Sequence, residues 1–131
     1  MEFKLVTGMT AECTAVVTEK NTAAAVGSGS LEVYATPAMA ALMEQAAAEL
    51  VDRVLDNEWT SVGTSLQIEH TAPTPLGMQV RAKVCLTGIE GRRLSFSVEA
   101  FDEQEQIGRG QHQRVIVRRS SFMEKAGSKM I

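Results

Sequence analysis

The sequence lacks several features that define whole classes of protein. No apolar run approaches the roughly 20 residues that a membrane-spanning helix needs, so no membrane association is expected. An excess of basic residues is also missing. The net charge is −3, which argues against a nucleic-acid partner held through backbone phosphates. The N-terminal segment has no basic region followed by an apolar stretch, so no secretion signal is predicted and we expect a cytoplasmic protein.

Cysteine and histidine are scarce. The two cysteines, Cys13 and Cys85, form no CxxC motif, and the two histidines, His70 and His112, show no metal-ligand spacing with them. We therefore expect two reduced thiols, with one disulfide between them as the alternative, no metal site and no organic cofactor.

What remains is the composition of one ordinary globular domain. The chain has 131 residues, 44% of them apolar, and no internal repeat or linker divides it, so we predict a single domain over residues 1–131.

The charge is distributed unevenly along the chain. Residues 1–79 carry three basic and ten acidic side chains, whereas residues 80–131 carry ten basic and six acidic ones. The basic half can either receive a phosphorylated small molecule or form the solvated outer faces of strands.

A long helix is predicted over about residues 37–56. Thr36 and Pro37 form a typical helix start, because threonine can accept a bond from a free backbone N–H and proline loses none there. Most of the following residues favour helix. An apolar stripe recurs at helical spacing, at Met39, Leu42, Met43, Ala46, Leu50 and Val54. Its many alanines make this helix thin enough for a sheet to wrap around it.

The rest of the chain alternates between apolar and polar residues, as strands do. One strand is predicted before the helix and four after it, at about residues 9–18, 62–70, 80–87, 94–101 and 107–117. In the second of these, one face is expected to carry Val62, Thr64, Leu66, Ile68 and His70. Residues 21–30 are small and indicate a loop or lid, and the polar tail from about residue 120 is expected to be flexible.

This order of elements predicts an α+β protein with the hotdog fold. An antiparallel sheet of about five strands, the last four in hairpin-like succession, would wrap around one long central helix. The edges of such a sheet usually need a partner subunit. We therefore expect a homodimer or a dimer of dimers.

Three polar residues stand among apolar neighbours and are candidates for chemistry. Thr36 and Glu44 lie about 12 Å apart along the helix axis and can border one cleft. His70 falls on the face that alternation assigns to the core, so it needs a polar partner, for which Glu44 is a candidate. Each also has an ordinary explanation: a helix cap for Thr36, solvent exposure for Glu44 and a satisfied strand end for His70.

Short motifs follow one another within a stretch from about Met9 to Val117 that resembles a known family. They are Ala35-Thr36-Pro37, Leu42-Met43-Glu44, Gly63-Thr64, His70 followed by Pro73 and Pro75, and Gly110-x-His112-x-Arg114-x-x-Val117. This ordered set resembles the fluoroacetyl-CoA thioesterase-like family of hotdog proteins. The Thr, Glu and His of that family fall on Thr36, Glu44 and His70.

The resemblance implies hydrolysis of an acyl-CoA thioester, with CoA as part of the substrate. Thr36 and free N–H groups at the helix start would hold the oxyanion. Glu44 would either attack the carbonyl or act as general base for a water, and the sequence leaves this choice open. His70 would orient Glu44 or the water and carry the proton. Gly63 would let the backbone approach the acyl group.

The phosphorylated end of CoA is expected to meet the basic half of the chain. Arg114, Arg118 and Arg119 are the candidates, and His112 shares the face of Arg114 and is expected to line the same region. The fluoroacetyl-specific branch is associated with bulky aromatic residues in the lid, whereas residues 26–30 of this chain, VGSGS, have none. We therefore expect a different short or medium acyl group.

Two other functions are compatible with this fold. A non-catalytic acyl-CoA binding module would bind CoA esters without turnover. A hydratase or dehydratase would need an Asp and a His close together on the loop before the helix, and no histidine precedes His70.

Overall fold

The computed structural model describes residues 3–130, and its elements follow the predicted order. The strands are β1 (Thr10–Val16), β2 (Trp59–His70), β3 (Gln79–Glu90), β4 (Arg93–Phe101) and β5 (Gln106–Arg118). The helices are α1 (Ala23–Val26), α2 (Thr36–Val54) and α3 (Arg119–Gly127). Within the described residues, no helix has the length and apolar character to span a membrane.

Helix α2 packs on the sheet through the predicted apolar stripe. Its fully buried side chains include Met39, Met43 and Ala46, so the helix is thin where the sheet approaches it. The start of α2 differs from the prediction. Ala35 is the N-cap residue and Thr36 is the first residue of the helix, and no side chain among residues 3–130 caps it. The cap role predicted for Thr36 is therefore wrong, because its hydroxyl is engaged elsewhere.

The five strands form one antiparallel sheet in the order β1-β3-β4-β5-β2. The predicted hairpin succession is right for β3, β4 and β5 but wrong for β2, which pairs with β5 and not with β3. The connection that contains Pro73 and Pro75 carries the chain from β2 to the far part of the sheet. As a result β2, with twelve residues, forms an edge of the sheet.

A bulge in β2 changes which side chains face the helix. The register to β5 shifts between Gly63 and Ser65, so Thr64 is an additional residue in the ladder. Before the bulge Ser61 and Gly63 point inward, and after it Leu66 does. The prediction that Val62 and Thr64 share a face with the residues after them is therefore wrong.

The hydrophobic core lies between α2 and the concave face of the sheet. Its largest fully buried side chains outside the helix include Phe96, Leu86 and Leu94. Cys13 and Cys85 are both free, and Cys13 is buried. The segment predicted as a flexible tail begins as α3, whose side chains have no buried member.

Candidate active site

Thr36 and His70 meet at the N-terminal end of α2. The Thr36 Oγ1 atom lies 2.7 Å from His70 Nδ1, which is a hydrogen bond between the first residue of α2 and the last residue of β2. The buried ring of Tyr34 packs edge-on against the imidazole, with ring centres 6.4 Å apart. This contact and the hydrogen bond fix the orientation of the His70 ring.

The imidazole of His70 is held in its neutral form. Burial lowers the pKa of His70 below its ordinary value of 6.5, because desolvation disfavours the charged ring. Its second nitrogen, Nε2, is buried and has no hydrogen-bond partner within residues 3–130. A neutral imidazole with a free nitrogen can accept or deliver a proton near neutral pH.

A cavity of about 280 Å³ opens beside this pair. Its lining residues are mostly small or apolar and come from the lid segment, the start of α2 and the end of β2: Ala23, Ser28, Val33, Tyr34, Thr36, His70, Thr71, Ala72 and Pro73. Its lining contains no phenylalanine or tryptophan. A larger groove of about 540 Å³ lies on the outer face of the sheet, away from these residues.

Glu44 lies in a different group of side chains, against β2 and β5. Its Oε2 atom is 3.9 Å from Arg114 Nη1. It also lies directly over Gly63, where an added Cβ would stand 2.6 Å from Glu44 Oε2 and 3.2 Å from His112 Cε1. Gly63 therefore leaves the space in which these side chains converge.

Arg114 is buried, and hydrogen bonds hold its guanidinium in place. Its Nε donates to Ser61 Oγ at 2.7 Å, and its Nη2 donates to the Ser61 carbonyl at 2.9 Å. His112 is buried beside it and contacts Nη1 at 3.1 Å. Ser61 was not among the residues predicted from the sequence. The alternation that placed Val62 inward would place Ser61 outward, and the bulge after Gly63 reverses this assignment.

The structure thus brings together two pairs of the predicted residues but not all of them. Thr36 bonds His70, and Glu44 pairs with Arg114 over Gly63. Within one chain, the hydrogen-bond partner of His70 is Thr36, not Glu44, which was the predicted candidate.

Arg118 and Arg119 lie further along the chain, at the end of β5, and both are half-exposed. The Arg118 guanidinium stands over the Trp59 ring and 3.5 Å from a Glu58 oxygen. Arg119 donates from Nε to the Asn57 carbonyl at 2.7 Å. No group of three or more potential metal ligands occurs within residues 3–130.

A model of the family described as fluoroacetyl-CoA-specific thioesterase matches residues 17–120 of this sequence. The chain is also 39% identical to a fluoroacetyl-CoA thioesterase of Streptantibioticus cattleyicolor, over 75% of this chain and 70% of that protein. The chain belongs to this thioesterase family. The predictions of family membership and of a thioester hydrolase are therefore confirmed.

Solved structures of the thioesterase FlK and of a thioesterase superfamily member have the same fold. The crystal structure of a mutant of the fluoroacetyl-CoA-specific thioesterase FlK matches with a TM-score of 0.90 and 31% identity, covering 98% of this chain and 99% of that one. A complex of this mutant with fluoroacetate and CoA matches with a TM-score of 0.85 and 32% identity, covering 90% and 99%. A thioesterase superfamily member of Thermus thermophilus has a TM-score of 0.85 and 28% identity, covering 95% and 92%. The predicted hotdog fold is confirmed.

Proposed function

We propose that this chain hydrolyses the thioester of a short or medium acyl-CoA, using Thr36, His70 and Glu44. The observation that carries this proposal is the 2.7 Å hydrogen bond between Thr36 and His70 beside a cavity of about 280 Å³. The start of α2 lacks a side-chain cap, so its free N–H groups and the helix dipole favour negative charge at this point.

The chemistry follows from where charge develops. Attack on the thioester carbonyl creates an oxyanion, which the Thr36 hydroxyl and the N–H groups at the start of α2 would stabilise. In the general-base route, Glu44 would remove a proton from the attacking water, and His70 Nε2 would relay that proton to the CoA thiolate as it leaves. In the nucleophilic route, Glu44 would attack the carbonyl and expel the CoA thiolate, which leaves a mixed anhydride. Neutral His70 would then take a proton through Nε2 from the water that hydrolyses the anhydride and pass it to the thiolate.

The acyl group would occupy the cavity beside Thr36. The lid segment over it contains Gly27, Ser28 and Ser30, which have little or no side chain to narrow the entrance. A short or medium acyl chain other than fluoroacetyl is therefore the proposed substrate. Arg118 and Arg119 stay predictions as contacts for the CoA phosphates, whereas Arg114, which is 6% exposed and bound by Ser61, does not suit that role.

A second copy of the chain would complete the site. Among residues 3–130, β2 pairs with β5 alone, so its other edge presents unpaired backbone groups, which a second β2 can satisfy. In an antiparallel pair related by a two-fold axis near Leu66, His70 of one copy approaches the Gly63 half of the other. Glu44 of the partner subunit would then join the Thr36–His70 pair. We propose a homodimer on this basis, whether or not two dimers associate further.

Thiol release from a panel of acyl-CoA esters tests the activity. Glu44→Gln, His70→Asn and Thr36→Val should each lose most of it. Glu49→Gln is the matched control, because Glu49 lies on the same helix but bonds Cys13, and it should keep wild-type activity. Saturable binding of CoA esters without thiol release would contradict the proposal and support the non-catalytic binding module.

Subunit mixing tests whether the site is shared. Glu44→Gln and His70→Asn chains, each inactive alone, would form mixed dimers with one intact site when refolded together. Roughly a quarter of wild-type activity should return in an equal mixture, since half of the dimers are mixed and each has one working site. No recovery would show that Glu44 and His70 act within one chain.

The role of Glu44 can be decided by isotope labelling. Under single turnover in ¹⁸O-labelled water, attack of water on the Glu44 carbon of the anhydride places label in the Glu44 carboxylate, whereas the general-base route places it in the released acid only. Label found by mass spectrometry in the peptide that contains Glu44 therefore establishes the anhydride, and its absence counts against water attack at the Glu44 carbon.

A further inference from the structure

His112 is a buried histidine whose two ring nitrogens both have partners. The residue is 1% exposed, in the middle of β5. Its Nδ1 lies 2.8 Å from the Ser65 carbonyl, and its Nε2 lies 3.1 Å from Arg114 Nη1. A carbonyl can only accept and a guanidinium can only donate, so Nδ1 carries the hydrogen and Nε2 presents its lone pair. The surroundings therefore select one neutral tautomer.

The contact with His112 completes the restraint on Arg114. Ser61 already binds the Nε and Nη2 atoms, and His112 accepts from Nη1. All three nitrogens of the guanidinium are thus engaged, although a free arginine side chain has large rotational freedom. The Nη1 atom that His112 holds is also the one that lies 3.9 Å from the Glu44 carboxylate.

We propose that His112 is a positioning residue, which holds the Arg114 guanidinium so that its charge stays against the Glu44 carboxylate. This inference rests on the proposed function, in which Glu44 takes part in the reaction. It replaces the role in CoA binding expected from the sequence, because a ring that is 1% exposed has no surface to offer a substrate.

The chemistry of the site explains why a neutral imidazole suits this position. A carboxylate in place of His112 would attract the same guanidinium and compete with Glu44 for it. A protonated imidazole would have no lone pair for Arg114 and would repel it. The pKa of His112 is lowered on balance, chiefly by burial. The Arg114 charge acts in the same direction, whereas the bond to the Ser65 carbonyl and the Glu44 charge oppose it. Neutral imidazole therefore anchors Arg114 without cancelling its charge.

Two substitutions test this role by steady-state kinetics. His112→Leu removes both polar contacts and should lower kcat by about 10- to 100-fold with little change in KM, because the misplaced group acts in the chemical step. His112→Gln can donate through its amide nitrogen and accept through its oxygen, so it should restore much of kcat. Ile116→Val, a buried substitution two positions beyond Arg114, controls for disturbance of β5 and should match the wild type.

The kinetic outcomes are distinct. A raised KM at unchanged kcat would overturn the inference in favour of a substrate contact, and an unchanged kcat in a folded His112→Leu protein would overturn it altogether. If His112→Leu does not fold, His112→Gln decides, since an amide should support Arg114 only in part: a several-fold lower kcat at unchanged KM supports the inference, and a raised KM or wild-type kinetics overturns it.

A spectroscopic measurement on the wild-type protein does not depend on activity. Two-bond ¹H–¹⁵N correlation at pH 7 should show His112 protonated at Nδ1 and unprotonated at Nε2. An imidazolium or the opposite tautomer would overturn the inference. A chain with this tautomer that releases no thiol from any ester would instead count against the proposed function and leave the contact with Arg114 intact.

Discussion

The Thr36 hydroxyl and His70 Nδ1 lie 2.7 Å apart, although 34 positions separate the two residues in the chain. Thr36→Val keeps the shape of the side chain but removes the hydroxyl, which leaves His70 without its partner. We expect kcat for acyl-CoA hydrolysis to fall about 100-fold. Thr36→Ser, which retains a hydroxyl, should keep much of the rate. Thiol release measured for both variants checks this, and a fully active Thr36→Val would exclude the hydroxyl from the reaction.

Gly63→Ala should lower activity without unfolding the protein. Its Cβ would stand 2.6 Å from Glu44 Oε2, and because that atom ends a flexible side chain, the carboxylate can move aside. A displacement of this size should lower kcat by about 100-fold. Gly88→Ala is the matched control in β3, where the new Cβ would meet only Ser95 at 3.6 Å. Equal rates for the two variants would contradict the arrangement of Glu44 over Gly63.

The free energy of unfolding should decrease as the pH falls below about 6.5. Burial lowers the pKa of both His70 and His112 from the ordinary value of 6.5, so below that pH the unfolded chain binds protons that the folded chain does not. The decrease should be at most about 1.4 kcal/mol per pH unit for each histidine and should end below their folded-state pKa values. Urea unfolding between pH 7.5 and 5.5 measures it.

A double variant isolates the histidine contribution. His70→Asn with His112→Gln removes both titrating rings, so its stability should change less over the same pH range. Glu49 and Asp102, whose pKa values are lowered, act only near and below about pH 4 and do not interfere. A wild-type protein that gains stability as the pH falls from 7.5 to 5.5 would contradict the burial of neutral imidazoles.

The two thiols should differ in reactivity. Burial, assisted by the hydrogen bond to Glu49, raises the pKa of Cys13 to about 11, so about 0.1% of it is thiolate at pH 8. Cys85 is only half-buried. A thiol reagent should therefore modify one cysteine quickly and the other only on unfolding. Cys85→Ser should abolish the fast phase and Cys13→Ser should retain it, whereas the reverse pattern would contradict the assignment.

Local patterns predicted the elements, but they did not predict how the strands pair. The stripe from Met39 to Leu50 is visible in the sequence because helical spacing repeats within a few residues. The pairing of β2 with β5 joins residues far apart in the chain, and the bulge at Thr64 depends on that pairing. A single additional residue reverses the faces of a strand, so alternation alone misassigned Val62 and Thr64.

The candidate site was likewise predicted in its residues but not in their contacts. The resemblance of motifs named Thr36, Glu44 and His70, yet no sequence pattern indicated that Thr36 would bond His70 while Glu44 met Arg114. Those contacts depend on where β2 crosses α2. Ser61 was overlooked because its importance comes from the guanidinium that it holds, which belongs to another strand.

The uncapped start of α2 makes this enzyme sensitive to changes in segments remote from Thr36 in the chain. A side-chain cap contributes about 1 kcal/mol to a helix, and here the threonine that could supply it serves His70 instead. Backbone bonds from Ala35 to Asn21 and from Tyr34 to Thr74 hold the helix start in its place. Selection for higher thermal stability would therefore favour a capped helix start, whereas selection for faster turnover would keep the Thr36 hydroxyl on His70.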